Sequence, residues 1–221
     1  MYKKLQHKKM KWLSSAIEFP PLNQANADGL LALGGDLSPE RVFYAYQNGI
    51  FPWYESDQPL LWWAPDPRFV LYPDRLRISK STKQLLKSHQ FEITVNRDFK
   101  AVIEACANVK RNAQSGTWIT NDMIETYCEL HQRGIAKSVE VWQNKSLVGG
   151  LYGIELGDTI FCGESMFSHV SNASKIGFIT FIRNSNYTLI DCQLHTDYLE
   201  SLGAEYISRS QFMEYIKRET T

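Results

Sequence analysis

An α+β fold is predicted, with a small N-terminal domain (residues 1–65) ahead of a larger one (66–221) built on a mostly antiparallel mixed sheet. Three observations predict it. Hydrophobic residues make up 43% of the 221, enough for a full core and too many for a disordered chain. Prolines and tryptophans crowd the stretch from Phe51 to Pro67, which reads as extended rather than regular. Beyond it the hydrophobic periods follow the order β-α-β-α-β-β-β-α-β and close on a short helix at Ser210–Lys217. No repeat or low-complexity tract interrupts them.

Residues 1–18 carry little pattern, and Phe19-Pro20-Pro21 breaks any regular element. Leu30 to Leu33 is a short apolar run closed by Gly34-Gly35, a strand or hairpin arm. Without a following lysine and hydroxyl, the glycine pair is no phosphate loop. Ser38 before Pro39 starts a helix, Val42, Tyr44 and Tyr46 give it an apolar side, and Asn48-Gly49 stops it. Trp53, Trp62 and Trp63 read as core ahead of a base-stacking platform.

Arg68 to Tyr72 reads as a strand, and Ser79 caps a basic helix from Lys80 to Ser88. Lys80, Lys83 and Lys87 share one face of it, either a solvated face or a phosphate track. Phe91–Val95 alternates as a strand, Asp98–Ala107 is helical, and Lys110–Gly116 is a polar, mobile loop. A helix runs from Asn121 or Asp122 to about Arg133, with Met123, Tyr127 and Leu130 on one side and Gly134 as its stop. Ser138–Trp142 and Leu147-Val148 form a hairpin around Asn144-Lys145. A second turn at Leu156-Gly157-Asp158 leads to a strand ending near Ser168. Then come a helix from Asn172 to Ile182 and a strand through Gln193.

Charge and cysteine usage exclude several classes. Lys and Arg total 24, as do Asp and Glu, so the whole protein is no polyelectrolyte partner for nucleic acid. Local patches differ: Lys3, Lys4, Lys8, Lys9 and Lys11 form a basic arm, and Arg75, Arg77, Lys80, Lys83 and Lys87 form a second cluster. Cys106, Cys128, Cys162 and Cys192 contain no close Cys-x-x-Cys pair, which argues against a cysteine zinc site. With no signal peptide or long apolar run, a soluble cytoplasmic protein with reduced thiols and no membrane partner is expected.

The chemistry is expected near Glu164, Asp191 and Gln193, polar residues where strands want apolar ones. Alternation places Asp191 and Gln193 on one face and Cys192 on the other. Such acceptors are expensive to bury unless partners or a substrate cation meet them. Leu151 and Phe181 could line an apolar pocket nearby. His131, His169 and His195 sit in no catalytic motif, and Cys162 and Cys192 read as small buried hydrophobes. The residues alone describe a site for a cation or amine beside an apolar pocket, with the reaction left open.

A set of ordered blocks then carries a resemblance. They include Gly29–Pro39, Tyr46–Trp53, Trp62–Arg68, Gly116–Thr120, Ser138–Trp142, Leu147–Gly153, Phe161–Ser168, Asn172–Lys175 and Leu189–Gln193. Together they cover roughly residues 19 to 215, and in them the sequence resembles the leucyl/phenylalanyl-tRNA–protein transferase family. The resemblance implies a small N-terminal domain and a GNAT (acetyltransferase-like) domain. It implies transfer of Leu or Phe, and to a lesser degree Met, from aminoacyl-tRNA to proteins beginning with Arg or Lys, which marks them for degradation. No metal or acetyl-CoA is implied, and a monomer is expected.

Residue by residue, the resemblance makes Asp191, Gln193 and Glu164 the catalytic set. Glu164 and Asp191 suit the incoming N-terminal arginine and its amine, and a positioning and oxyanion-type role is preferred for Gln193 because an amide is a poor base. Leu151 and Phe181 match positions lining the side-chain pocket, Trp53 and Trp118 aromatic positions near the terminal adenosine, and Tyr46 and Tyr127 positions close to that site. Arg75, Arg77, Lys80, Lys83 and Lys87 are then the expected contacts to the tRNA acceptor stem. Two other readings stand beside it. A nucleic-acid binding module that lost catalysis has no evident need for all three polar residues. A small-molecule acetyltransferase usually carries a glycine- and basic-rich turn where Asn172–Lys175 stands.

Overall fold

The computed structural model describes residues 10–55, 58–109 and 119–220. The lysines before Lys11, the loop expected at Lys110–Gly116 and the site residue Trp118 lie outside the described residues.

The N-terminal region forms a four-stranded sheet of order β1-β2-β4-β3. Its strands are β1 (Lys11–Leu13), β2 (Leu30–Gly34), β3 (Phe51–Pro52) and β4 (Leu61–Trp63), with helix α1 (Pro39–Gln47) between β2 and β3. Ser38 caps α1 by accepting from the Arg41 amide, as its sequence predicts. The helix buries Val42, Ala45 and Tyr46, but Tyr44, expected on the same side, faces out. Trp62 is fully buried and donates its indole N–H to the Gly34 carbonyl, whereas Trp53 and Trp63 are half-buried. The weakly patterned start of the chain therefore supplies β1, whose three residues are too few to show a period.

The larger region forms a seven-stranded sheet of order β11-β5-β10-β9-β8-β7-β6. In chain order its elements are β5 (Arg68–Leu71), α2 (Lys80–Lys87), β6 (Glu92–Val95), α3 (Phe99–Ala107) and α4 (Asn121–Gln132). There follow β7 (Ala136–Gln143), β8 (Ser146–Leu156), β9 (Ile160–Ser168), α5 (Ala173–Arg183) and β10 (Leu189–Gln193). The chain closes with α6 (Asp197–Ser201), β11 (Glu205–Ile207) and α7 (Arg209–Thr220). Only β9 and β10 run parallel; the other pairs are antiparallel. The α+β class with a mixed sheet is as expected. The compact β-α order undercounts it, because two helices stand between β6 and β7 and the three-residue β11 precedes α7.

Alternation along β8 sorts the core into two layers. Leu151 packs with Val139, Phe161 and the α5 residues Phe178, Ile179 and Phe181. Tyr152, Ile154 and Leu156 face the other way, among side chains of α1, α3, α4 and α7. Gly177 lets α5 lie close to β7, since a Cβ there would stand 2.5 Å from Val141. Glu140 is buried with no cation paired to it among the described residues, yet its carboxylate accepts from the Thr94 and Ser138 hydroxyls and the Arg97 and Asp98 amides. Glu155, beside the turn after β8, pairs with Lys137 and accepts from the Tyr187 hydroxyl.

Candidate active site

β9 and β10 pair only at Leu189–Ile160, Ile190–Phe161 and Asp191–Cys162, and both strands continue beyond. Each then bulges. On β9, Tyr152 faces Ser165 and Gly153 faces Gly163, so Glu164 is the extra residue. On β10, Asp191 faces Val70 and Gln193 faces Phe69, so Cys192 is the extra residue, and Gln193 adopts a left-handed φ of 60°. Bulges re-aim side chains. Here they defeat the simple alternation expected for Asp191 and Gln193. Asp191 stays buried and paired with Arg68, while Gln193 reaches Glu164. A cavity of about 470 Å³ opens where the strands part.

Glu164 lines that cavity and gathers three donors. Its Oε1 accepts from the Tyr46 hydroxyl at 2.5 Å and from Gln193 Nε2 at 2.5 Å, and its Oε2 from the Tyr127 hydroxyl at 3.2 Å. The two phenol oxygens are 2.7 Å apart. Burial pushes the Glu164 pKa up to about 7, against the hydrogen bonds from Tyr46, Gln193 and Tyr127, which lower it, while the Asp191 charge raises it further. A carboxylate only accepts, so the Gln193 amide turns its nitrogen to Glu164 and leaves its carbonyl oxygen for the cavity.

Asp191 also lines the cavity, but its carboxylate is already engaged. Its carboxylate is fully buried and takes a two-pronged contact from Arg68, at 2.8 Å from Nε and 2.7 Å from Nη2. Arg68 is itself held between the rings of Phe51 and Phe212, 4.7 Å from each. Asp191 Oδ1 also accepts from the Gln193 backbone amide at 2.9 Å, fixing the bulge that presents Gln193. Its negative charge therefore already has a cation. Arg68 escaped the sequence reading, although a buried aspartate on a central strand was a signal to look for one.

The apolar part of the cavity comes from Phe51, Leu151, Met166, Phe178, Ile190 and Leu199. Leu151 and Trp53 both line the cavity. Phe181 is not among the residues that line the cavity: it packs on Phe161 and Tyr187, and Phe178, less than one turn earlier on α5, lines it instead. Tyr46 and Tyr127 lie behind Glu164, buried, rather than on the cavity wall. Burial pushes the Cys162 and Cys192 thiols up, so neither is an activated nucleophile. Arg77, Lys80, Lys83 and Lys87 are exposed, whereas Arg75 pairs with Glu205 at 2.8 Å and lies over Tyr72. No helix among the described residues is long and apolar enough to cross a membrane.

A carboxylate and an amide positioned on the wall of an apolar cavity, with no activated thiol beside them, suit an acyl-group transferase that joins two bound substrates directly. Comparison with known proteins makes that class specific. Residues 70–217 match the leucyl/phenylalanyl-tRNA protein transferase family, and residues 35–66 match the family's N-terminal domain. The chain is 56% identical over 211 residues to a leucyl/phenylalanyl-tRNA–protein transferase of Flavobacterium johnsoniae, covering 94% of this chain and 99% of that one. It is 55% identical over 213 residues to one of Pseudomonas aeruginosa, covering 94% and 93%. The chain belongs to the leucyl/phenylalanyl-tRNA protein transferase family and is an aminoacyltransferase. A GCN5-related N-acetyltransferase of Kribbella flavida overlaps 75% of this chain and 60% of its own at 11% identity and a TM-score of 0.37, too distant to carry an argument.

Proposed function

We propose that this protein transfers leucine or phenylalanine, and methionine less well, from aminoacyl-tRNA to the α-amino group of proteins beginning with Arg or Lys. The product carries a new N-terminus that serves as an N-degron. The observation that carries this reading is the Glu164–Gln193 pair on the wall of an apolar cavity. We place the reaction in the cytoplasm, in a monomer, and assign residues 1–65 to a small domain and 66–221 to the acetyltransferase-like transfer domain.

The aminoacyl ester is already activated, so the chain need only align two substrates and manage one proton. The acceptor nitrogen attacks the ester carbonyl carbon. A C–N bond forms, the C–O bond to the ribose breaks, and the proton lost by nitrogen ends on the ribose oxygen. Gln193 commits an amide hydrogen to Glu164 and its carbonyl oxygen takes no side-chain donor among the described residues, which favours that oxygen accepting a hydrogen bond from the attacking amine over the oxyanion-type role expected earlier. Glu164, titrating near neutrality, is the group fit to hold that proton. Asp191 serves by positioning Gln193. Leu151, Met166 and Phe178 select the transferred side chain by size and polarity. The ester supplies the driving force, and the reading assigns no cofactor.

Trp53 remains the candidate near the terminal adenosine. The exposed lysines of α2, with Arg77, remain candidates for the acceptor stem; Arg75 is partly engaged by Glu205. Replacing Lys80, Lys83 and Lys87 with Ala should weaken aminoacyl-tRNA binding and lower the log–log salt slope by roughly 2–3, since each phosphate contact contributes about 0.7–0.9. An unchanged slope would return α2 to plain solvent exposure.

Labelled leucine on Leu-tRNA, offered to a model protein beginning with Arg beside one beginning with Ala, tests the reading. Label on the Arg protein alone is expected. Label on neither, with tRNA still bound, would leave a binding module that has lost catalysis.

A further inference from the structure

Tyr46 and Tyr127 are 1% and 0% exposed, and neither lines the cavity, so direct substrate contact does not account for them. They come from α1 and α4 and converge on Glu164 from the layer opposite α5. Each phenol has one hydrogen. Tyr46 donates it to Glu164 Oε1, and Tyr127 shares its own between the Tyr46 oxygen, 2.7 Å away, and Glu164 Oε2, 3.2 Å away. Burial and the neighbouring Glu164 charge push both phenols well above the ordinary tyrosine range, so they stay protonated donors.

We propose that Tyr46 and Tyr127 are positioning residues for aminoacyl transfer: their hydroxyls stabilise Glu164 as a carboxylate, and that carboxylate keeps the carbonyl oxygen of Gln193 turned to the cavity. The inference rests on the function proposed above and goes beyond it, because it assigns the amide orientation to two residues that touch no substrate. It also makes α1, a helix of the N-terminal region, part of the reaction machinery. A protonated Glu164 could donate to the Gln193 carbonyl and let the amide turn over, presenting N–H groups to an amine that needs an acceptor. The other ionisable groups facing the cluster leave Glu164 as the one that titrates near neutrality. Asp191 is paired with Arg68, Cys162 is held as a neutral thiol by burial, and Tyr152 packs edge-on against Tyr127.

The test uses Tyr46→Phe and Tyr127→Phe in the full chain. Two readouts are taken: the pH at which the Glu164 carboxyl titrates in the free protein, and kcat against pH. The first uses carbon-13 NMR of labelled glutamate, with Glu164→Gln identifying the signal. Loss of a donor disfavours the carboxylate, so the titration should move alkaline by about one pH unit in Tyr46→Phe and by less in Tyr127→Phe. The rising limb of kcat should follow, with KM for the acceptor protein nearly constant. A titration that stays in place in both variants overturns the proposal. So does a loss of activity that is uniform across pH, or one confined to KM for aminoacyl-tRNA. A wild-type protein that transfers nothing would overturn the proposed function while the carboxyl titration still decides this inference.

Discussion

Gln193→Ala is expected to slow transfer from bound aminoacyl-tRNA by about 10²–10³-fold, with tRNA affinity little changed. The size follows from what the residue does. Its amide nitrogen is held 2.5 Å from Glu164 and its backbone amide 2.9 Å from Asp191, so the carbonyl oxygen is fixed before substrate arrives. A group aligned in advance contributes mainly to the rate of the chemical step. Ala removes the acceptor and leaves Glu164 with only the two phenols. Single-turnover transfer with saturating acceptor checks this, beside filter binding of aminoacyl-tRNA. A variant that keeps its turnover rate and loses only affinity would assign Gln193 to substrate binding instead.

The second large effect falls on stability. Asp191→Ala removes the partner of a guanidinium that is almost wholly enclosed, at 2% side-chain exposure. Breaking a buried pair leaves one charge unpaired in a poor solvent, at a cost of about 3–5 kcal/mol. For a chain of this size that lowers the melting temperature by roughly 10 °C. The bulge at Cys192–Gln193 loosens as well, because Asp191 Oδ1 no longer accepts from the Gln193 amide. Loss of activity in this variant then reports on folding before it reports on amine chemistry. Removing both charges with Arg68→Met and Asp191→Leu should recover much of the melting temperature without restoring transfer. A single variant that melts like the wild type but transfers nothing would instead make Asp191 a group acting on substrate.

What was legible in the sequence was local. Ser38 and Pro39, Ser79, and the stops at Asn48-Gly49 and Gly134 mark helix ends, because capping chemistry is decided by neighbours in the chain. The strand β7 announces itself by alternation at Ser138–Trp142, and β8 and β9 by apolar runs on either side of a turn. Glu164 and Gln193 stood out because polar residues interrupt that pattern. The bulges that bring them together did not, since an inserted residue shifts the alternation without leaving a signature of its own. Arg68 and Asp191 are 123 positions apart, and Tyr46 and Tyr127 are 81 apart, so no spacing rule connects them. Phe178 and Phe181 differ by less than one helical turn. Only the rotation of α5 against the sheet decides which of them faces the cavity.

The central claim is that Glu164 and Gln193 act as one unit, and a double-mutant cycle on the chemical step measures it most directly. Single-turnover transfer is timed for the wild type, Glu164→Gln, Gln193→Ala and the pair together. If the unit is real, the double variant is about as slow as the slower single, because each change alone already disables the pair. If the two losses multiply in full, Glu164 and Gln193 contribute independently and the account of the site is wrong.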